Sequence, residues 1–133
     1  MKFYLASSFA LKDTVQDVAE ILENLGHSVT VKWWLKDYKK ILLSDDDWYD
    51  HPDVGRISQR NFEGIRSADV FLFIADKSAP RKFNGANIEF GYAYALRKPC
   101  FAIGLLERSA MYVPMKRCSS LSEVLELVRE TTK

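Results

Sequence analysis

DVFLFIADKSAPRKFNGANIEFGYAYALRKPCFAIGLL, residues 69–106, is the stretch that decides the fold. DVFLFIA (69–75) is a continuous apolar run, the pattern of a strand buried on both faces. A loop carrying Pro80 and Gly85 leads into NGANIEFGYAYALRKP (84–99), which reads as a helix that Pro99 closes. CFAIGLL (100–106) is then a second buried strand. A strand, a helix and a strand in this little chain imply a right-handed crossover between parallel strands.

The pattern extends in both directions. KFYLAS (2–7) is a short apolar strand. Val15, Val18, Leu22 and Leu25 recur at spacings of three and four, one face of a helix, with Gly26 placed to end it. HSVTVKWW (27–34) alternates and is β-branched, so it reads as a strand. Residues 35–53 are polar and irregular, and include SDDDWYDHPD. A helix follows from Val54 to Ser67. Ser120 and Glu123 form a capping box ahead of Leu121, Val124, Leu125 and Val128, which marks a last helix. The expected architecture is a single α/β domain over 1–133, a three-layer doubly wound, flavodoxin-like or Rossmann-like fold with a mostly parallel sheet of about five strands. In such folds ligands bind outside the carboxyl ends of the strands. The residues there are Tyr4 to Phe9, Trp33 onward, Asp76 to Gly85, and Glu89.

Composition narrows the function. The chain has 133 residues, 47% hydrophobic and 28% charged, with a formal net charge of +1. That balance gives no electrostatic case for a nucleic-acid polymer or an anionic membrane as partner. No apolar run approaches a bilayer span, and MKFYLASSFALKD reads as a first strand rather than a leader. Cys100 and Cys118 read as free thiols of a reducing, cytoplasmic setting. No Cys/His cluster has zinc spacing, and the acids of SDDDWYDHPD lack the spacing of a calcium loop, so no metal is expected. The absence of GxGxxG and GxxxxGK[ST] removes dinucleotide and P-loop chemistry, and no cofactor is expected.

Several residues stand out by chemistry. Glu89 is a carboxylate in a small, aromatic and apolar run, assigned to the first turn of its helix. An acid there complements the helix dipole, which is the ordinary explanation. An ionised carboxylate at a ligand-binding rim also suits a nucleophile. Gly85 and Gly91 would let a ligand or the sheet approach, and Tyr92 and Tyr94 would supply aromatic walls. Asn61 lies in the stripe of Val54, Ile57 and Ile65, and a buried amide needs partners, from backbone or from a ligand. Asp76 follows a strand and sits at the rim; Asp69 opens that strand at the opposite end. Tyr4, Ser7 and Ser8 end the first strand, where hydroxyls and N–H groups can hold a sugar or a phosphate. Of Trp33 and Trp34, one belongs to the core and the other, with Trp48, can stack on a base; Trp34 is taken as the ligand-facing one.

Together, YLASSF, RNFEGIRSADVFLFIAD and GANIEFGYAYALRKP resemble the nucleoside 2-deoxyribosyltransferase family, which includes the deoxynucleoside 5′-monophosphate N-hydrolases. The resemblance spans residues 2–104, and its most specific part is G-x-x-x-E-x-G-x-A-x-A-L-x-K-P from Gly85 to Pro99. It implies that Glu89 attacks C1′ of a 2-deoxyribosyl unit and expels the base, that a covalent glycosyl-enzyme forms, and that a second base or water resolves it with retention. It implies that Tyr4 positions the nucleophile and that a homo-oligomer completes the pocket. Two departures follow. Asn61 stands where the family has an aspartate near the leaving base, and an amide cannot shuttle a proton. Phe83 stands where the family has a polar contact to sugar or phosphate. Asp76 is a substitute proton donor in this reading. Ser7 replaces a frequent glycine, Ala10 stands where nucleotide hydrolases carry an arginine, and Ser8 is retained. Lys12, Arg81 and Lys82 are positive charges available to a phosphate, although the ordinary reading, solvated surface charges, is the favoured one.

The rival reading is a binding module of the same fold that holds a nucleotide without turnover, favoured by Asn61. A receiver-type signalling domain would need acids after the first strand, and YLASSF has none. An NAD-cleaving domain also uses a glutamate on a ribosyl bond, but the Gly85–Pro99 pattern favours the deoxyribosyl family.

Overall fold

A computed structural model describes residues 1–36 and 45–131, the side chains of 45–47 excepted. Its strands are β1 (Lys2–Ala6), β2 (Ser28–Val29), β3 (Val70–Ile74), β4 (Cys100–Ile103) and β5 (Lys116–Cys118). They form one five-stranded sheet in the order β2-β1-β3-β4-β5, with every pairing parallel. This is the flavodoxin-like order, and its switch point lies between β1 and β3. The helices are α1 (Lys12–Asn24), α2 (Asp45–Asp50), α3 (Pro52–Ser67), α4 (Asn84–Ala95) and α5 (Leu121–Thr131). Right-handed crossovers put α1 on one face of the sheet and α3 and α4 on the other, because the chain moves outward in opposite directions from β1.

The core follows from the apolar runs. Every residue of β3 is buried, as are Phe3, Tyr4, Leu5 and Ala6 of β1. Tyr4 stacks on Phe71 of the neighbouring strand at 5.9 Å between ring centres. Phe71 in turn meets Phe90 of α4 at 6.2 Å. Val15, Val18 and Leu22 of the expected α1 stripe are buried, joined by Ala19, whereas Leu25 follows the last helical residue and is exposed. Gly26 follows that helix with a φ of +91°, the left-handed conformation that ends helices.

Several expectations shift. HSVTVKWW gives only the two-residue β2, because the chain turns into a 3-10 helix at Trp33–Leu35. The Trp33 indole N–H donates to the Leu5 carbonyl at 2.6 Å and pins that turn to the sheet. The irregular segment 35–53 contains α2, while 37–44 lie outside the described residues. His51 caps α3, accepting from the Asp53 N–H at 3.1 Å, so that helix starts at Pro52 rather than Val54. The α4 helix ends at Ala95, before Pro99, and Arg97 takes the left-handed conformation behind it. At α5 the Glu123 N–H donates to Ser120 Oγ, but the Glu123 carboxylate accepts from Ser119, one residue outside a regular capping box.

Gly64 of α3 is buried where the helix crosses β1. A methyl group there would collide with Val31 and stand 3.3 Å from the Tyr4 ring. Gly64→Ala is therefore expected to destabilise the protein by about 1–3 kcal/mol through overpacking. Chemical denaturation of the purified variant measures that loss.

Candidate active site

Three elements meet at the carboxyl ends of β1 and β3. Tyr4 is fully buried in β1, and its side chain rises from the sheet face that α3 and α4 cover. Its hydroxyl donates to Glu89 Oε2 of α4. Glu89 is the sixth residue of α4, one turn further in than expected, so the helix N-terminus is not what sets its charge state. Burial pushes its carboxyl up to about 7, and the Tyr4 hydrogen bond offsets part of that rise. The expectation of a carboxylate kept ionised by a helix end is thus corrected: desolvation wins, and the group is poised near neutrality.

Glu89 opens into a cavity of about 280 Å³ with mostly apolar walls. Trp33, Ile57, Phe62 and Ile88 form those walls, and Gly85 and Ala86 form the edge along α4. Ser7, Ser58 and Asn61 supply the polar atoms. Ser7 Oγ donates to the Ile74 carbonyl at 2.6 Å, and Ser58 Oγ donates to the Gly55 carbonyl at 3.0 Å. Asn61 Oδ1 is buried with no hydrogen-bond partner among the described residues. Buried amide oxygens are nearly always satisfied. Asn61 borders the cavity, while its Oδ1 is closed off from solvent, so the side chain must turn to present that oxygen to a ligand N–H group.

The structure brings Tyr4, Ser7, Asn61, Gly85 and Glu89 together. It does not bring the rest. Asp76 accepts from Ser78 N–H and Oγ and pairs with Arg81 at 2.8 Å. These bonds hold its carboxyl far below the usual carboxylate range, so it cannot be the proton donor once assigned to it. Ser8 caps a short 3-10 helix by accepting from the Ala10 N–H. Phe9 lies under the Lys12 ammonium at 5.0 Å. Phe83 is buried against Phe73 at 5.0 Å between ring centres, a core contact rather than a ligand contact. Trp34 is buried and donates to Gln16 at 2.7 Å, and Trp33 is the one that faces the cavity. Trp48 is half-buried and not among the cavity's walls.

Tyr92 packs on Phe62 from outside the cavity, and Tyr94 is exposed, so neither is a wall. Gly91 faces open space on the exposed side of α4. Ile57, Ser58, Phe62 and Ile88 also line the cavity, and no chemical anomaly in the sequence marks them. Ile57 and Ser58 are within one turn of Asn61, the signal that would have placed them. No group of three or more His, Cys, Asp or Glu residues suited to a metal occurs among the described residues.

A family model described as nucleoside 2-deoxyribosyltransferase matches residues 3–120. The chain belongs to that family. It is therefore an enzyme of the nucleoside 2-deoxyribosyltransferase family, as the resemblance implied. Among solved structures, a 2-deoxyribosyltransferase from Bacillus psychrosaccharolyticus is similar, with a TM-score of 0.69 and 20% identity over 93% of this chain and 90% of that one. The CMP N-glycosidase BcmB of Clostridium botulinum is similar with a TM-score of 0.56 and 16% identity over 98% and 99%. At these identities the two structures establish the shared fold. No match was found among curated protein sequences.

Proposed function

We propose that this deoxyribosyltransferase-family protein cleaves the N-glycosidic bond of a 2′-deoxynucleoside or its 5′-monophosphate through a covalent intermediate on Glu89. The observation that carries the reading is the Tyr4–Glu89 pair at the floor of an apolar cavity, with Asn61 lining the same space. The Tyr4 hydroxyl occupies one carboxylate oxygen and leaves Oε1 for attack. Oε1 forms a bond to C1′ as the C1′–N bond breaks, and the electron pair leaves with the base. Water or a second base then attacks C1′ and frees Glu89, so two inversions give net retention. Trp33 and Phe62 supply ring faces for the base, an interaction of about 1–3 kcal/mol in comparable stacks. Ser7, at the end of β1, is suited to a sugar hydroxyl.

The test is chromatographic detection of free base. The protein is incubated with each 2′-deoxynucleoside and each 5′-monophosphate, with and without an acceptor base, beside Glu89→Ala. Base release that the variant lacks supports the reading, and an exchanged base separates transfer from hydrolysis. Binding without release from any substrate would favour the second reading, a nucleotide-holding module, which Asn61 in the aspartate's place supports.

The raised carboxyl also fixes a pH dependence. Only ionised Glu89 attacks, so kcat/KM for base release is expected to rise about tenfold per pH unit below about pH 7 and to level above it. A pH–rate profile on the first substrate found checks this.

Two further expectations remain proposals. A homo-oligomer accords with the exposed apolar side chains of α4, Ile88 at the rim of the cavity and Tyr94 further along the helix. A cytoplasmic, reducing setting accords with two free cysteines. No described helix is long and apolar enough to cross a membrane.

A further inference from the structure

We infer that the described residues of the cavity provide no general acid for the leaving base, so its substrates are nucleosides or nucleotides whose base leaves readily as an anion. The inference deepens the N-glycosidic reading and rests on it. Among the described residues lining the cavity, Glu89 is the one ionisable side chain. As the nucleophile it must be deprotonated, so it cannot also supply a proton to the base in the same step. The other donors are committed. The Ser7 and Ser58 hydroxyls donate to backbone carbonyls, the Trp33 indole N–H donates to the Leu5 carbonyl, and Tyr4 donates to Glu89. Asp76, the other carboxylate near the rim, is engaged by Arg81 and Ser78 outside the cavity walls. That leaves the Asn61 amide. An amide can hydrogen-bond a departing nitrogen anion, but it does not release a proton.

The step then balances as follows. Glu89 Oε1 gains the bond to C1′, the C1′–N electron pair goes to the base nitrogen, and the base leaves as an anion that takes its proton from water. Negative charge accumulates fully on the base in the transition state. The rate must therefore depend steeply on how acidic the N–H of the freed base is. Asn61 becomes the residue that sets this selectivity, because a carboxyl there would offer the missing proton. In an apolar cavity beside a second carboxyl, such a group would hold its proton well above the ordinary carboxylate range.

The experiment measures single-turnover base release across two series. One is 2′-deoxyuridines bearing 5-iodo, 5-fluoro, hydrogen or 5-methyl. The other is purine 2′-deoxynucleosides varied at position 6, and both are run as nucleosides and as 5′-monophosphates. In whichever series is cleaved, the rate is expected to rise close to ~10-fold for each tenfold gain in N–H acidity. Asn61→Asp is expected to flatten that dependence and to speed the least acidic bases most. A flat dependence in the unaltered protein would overturn the inference while leaving the N-glycosidic reading intact. A slope that stays steep in Asn61→Asp would overturn the assignment to position 61. Release from 2′-deoxycytidine or its monophosphate but from neither series would overturn the inference, and no release from any of these substrates would overturn the underlying reading, and this one with it.

Discussion

Glu89→Gln is expected to abolish base release, by about 10⁴-fold or more, the scale seen when a covalent nucleophile is removed. The same substitution should make the protein more stable above neutral pH. The folded protein holds the Glu89 proton up to about pH 7, against an ordinary value of 4.5. Between those values the folded state binds more protons than the unfolded chain, so the Glu89 contribution is full below about pH 4.5 and lost as pH rises toward 7. The loss amounts to the order of 3 kcal/mol at pH 8. Glutamine never ionises and still accepts from the Tyr4 hydroxyl, so denaturation at pH 8 should find the variant more stable by about that amount, with little difference at pH 4. A residue that costs stability where the protein works, and whose loss removes activity, is placed there for chemistry. Equal stability of the two proteins at pH 8 would count against a buried, proton-holding Glu89.

Tyr4→Phe is expected to slow base release by roughly 10²-fold, because an attacking oxygen that loses its fixed position forfeits orientation. Its second signature is directional. The Tyr4 hydroxyl favours the ionised carboxylate, so its removal raises the Glu89 carboxyl further. The acid limb of the pH–rate profile should move to higher pH, and part of the lost rate should return under alkaline conditions. A loss of rate with an unmoved limb would show that Tyr4 acts on the sugar or on folding rather than on Glu89. The phenol is fully buried against Phe71, and phenylalanine fills the same space, so the variant removes the hydroxyl with little disturbance of the core.

Much of the fold is legible in the sequence because burial writes itself into periodicity. DVFLFIA holds an interior strand and CFAIGLL holds one over Cys100–Ile103, ending where Gly104 turns the chain and leaves Leu105 exposed, and the spacing of Val15, Val18 and Leu22 leaves one possible face for α1. What escapes is held by tertiary contacts that leave no local pattern. β5 is three residues, Lys116–Cys118, with its first two side chains exposed at the edge of the sheet. α2 is made of DDDWYD, which carries no apolar stripe. β2 stops early because the indole of Trp33 reaches Leu5 and turns the chain.

The site divides along the same line. Tyr4, Asn61 and Glu89 are legible because each is a polar group in an apolar pattern, and such anomalies need a reason. The choice between Trp33 and Trp34 is not legible, since strand alternation no longer governs once the backbone is a 3-10 turn. Asp76 misleads for a related reason. Its position after β3 is right for a site, but its charge is consumed five residues later by Arg81, and nothing in the spacing announces that pairing.

The most direct test of the central claim is to trap the intermediate. A 2′-deoxynucleoside carrying fluorine at C2′ slows breakdown of a glycosyl-enzyme, because the electron-withdrawing atom opposes positive charge at C1′. The protein is incubated with it, released base is counted against protein, and the denatured protein is weighed by mass spectrometry and fragmented. The expected result is one base released per chain, a mass gain of one fluorinated pentosyl group, and its location on Glu89. Base released in step with an unchanged protein mass, or a label on another side chain, would contradict covalent catalysis by Glu89.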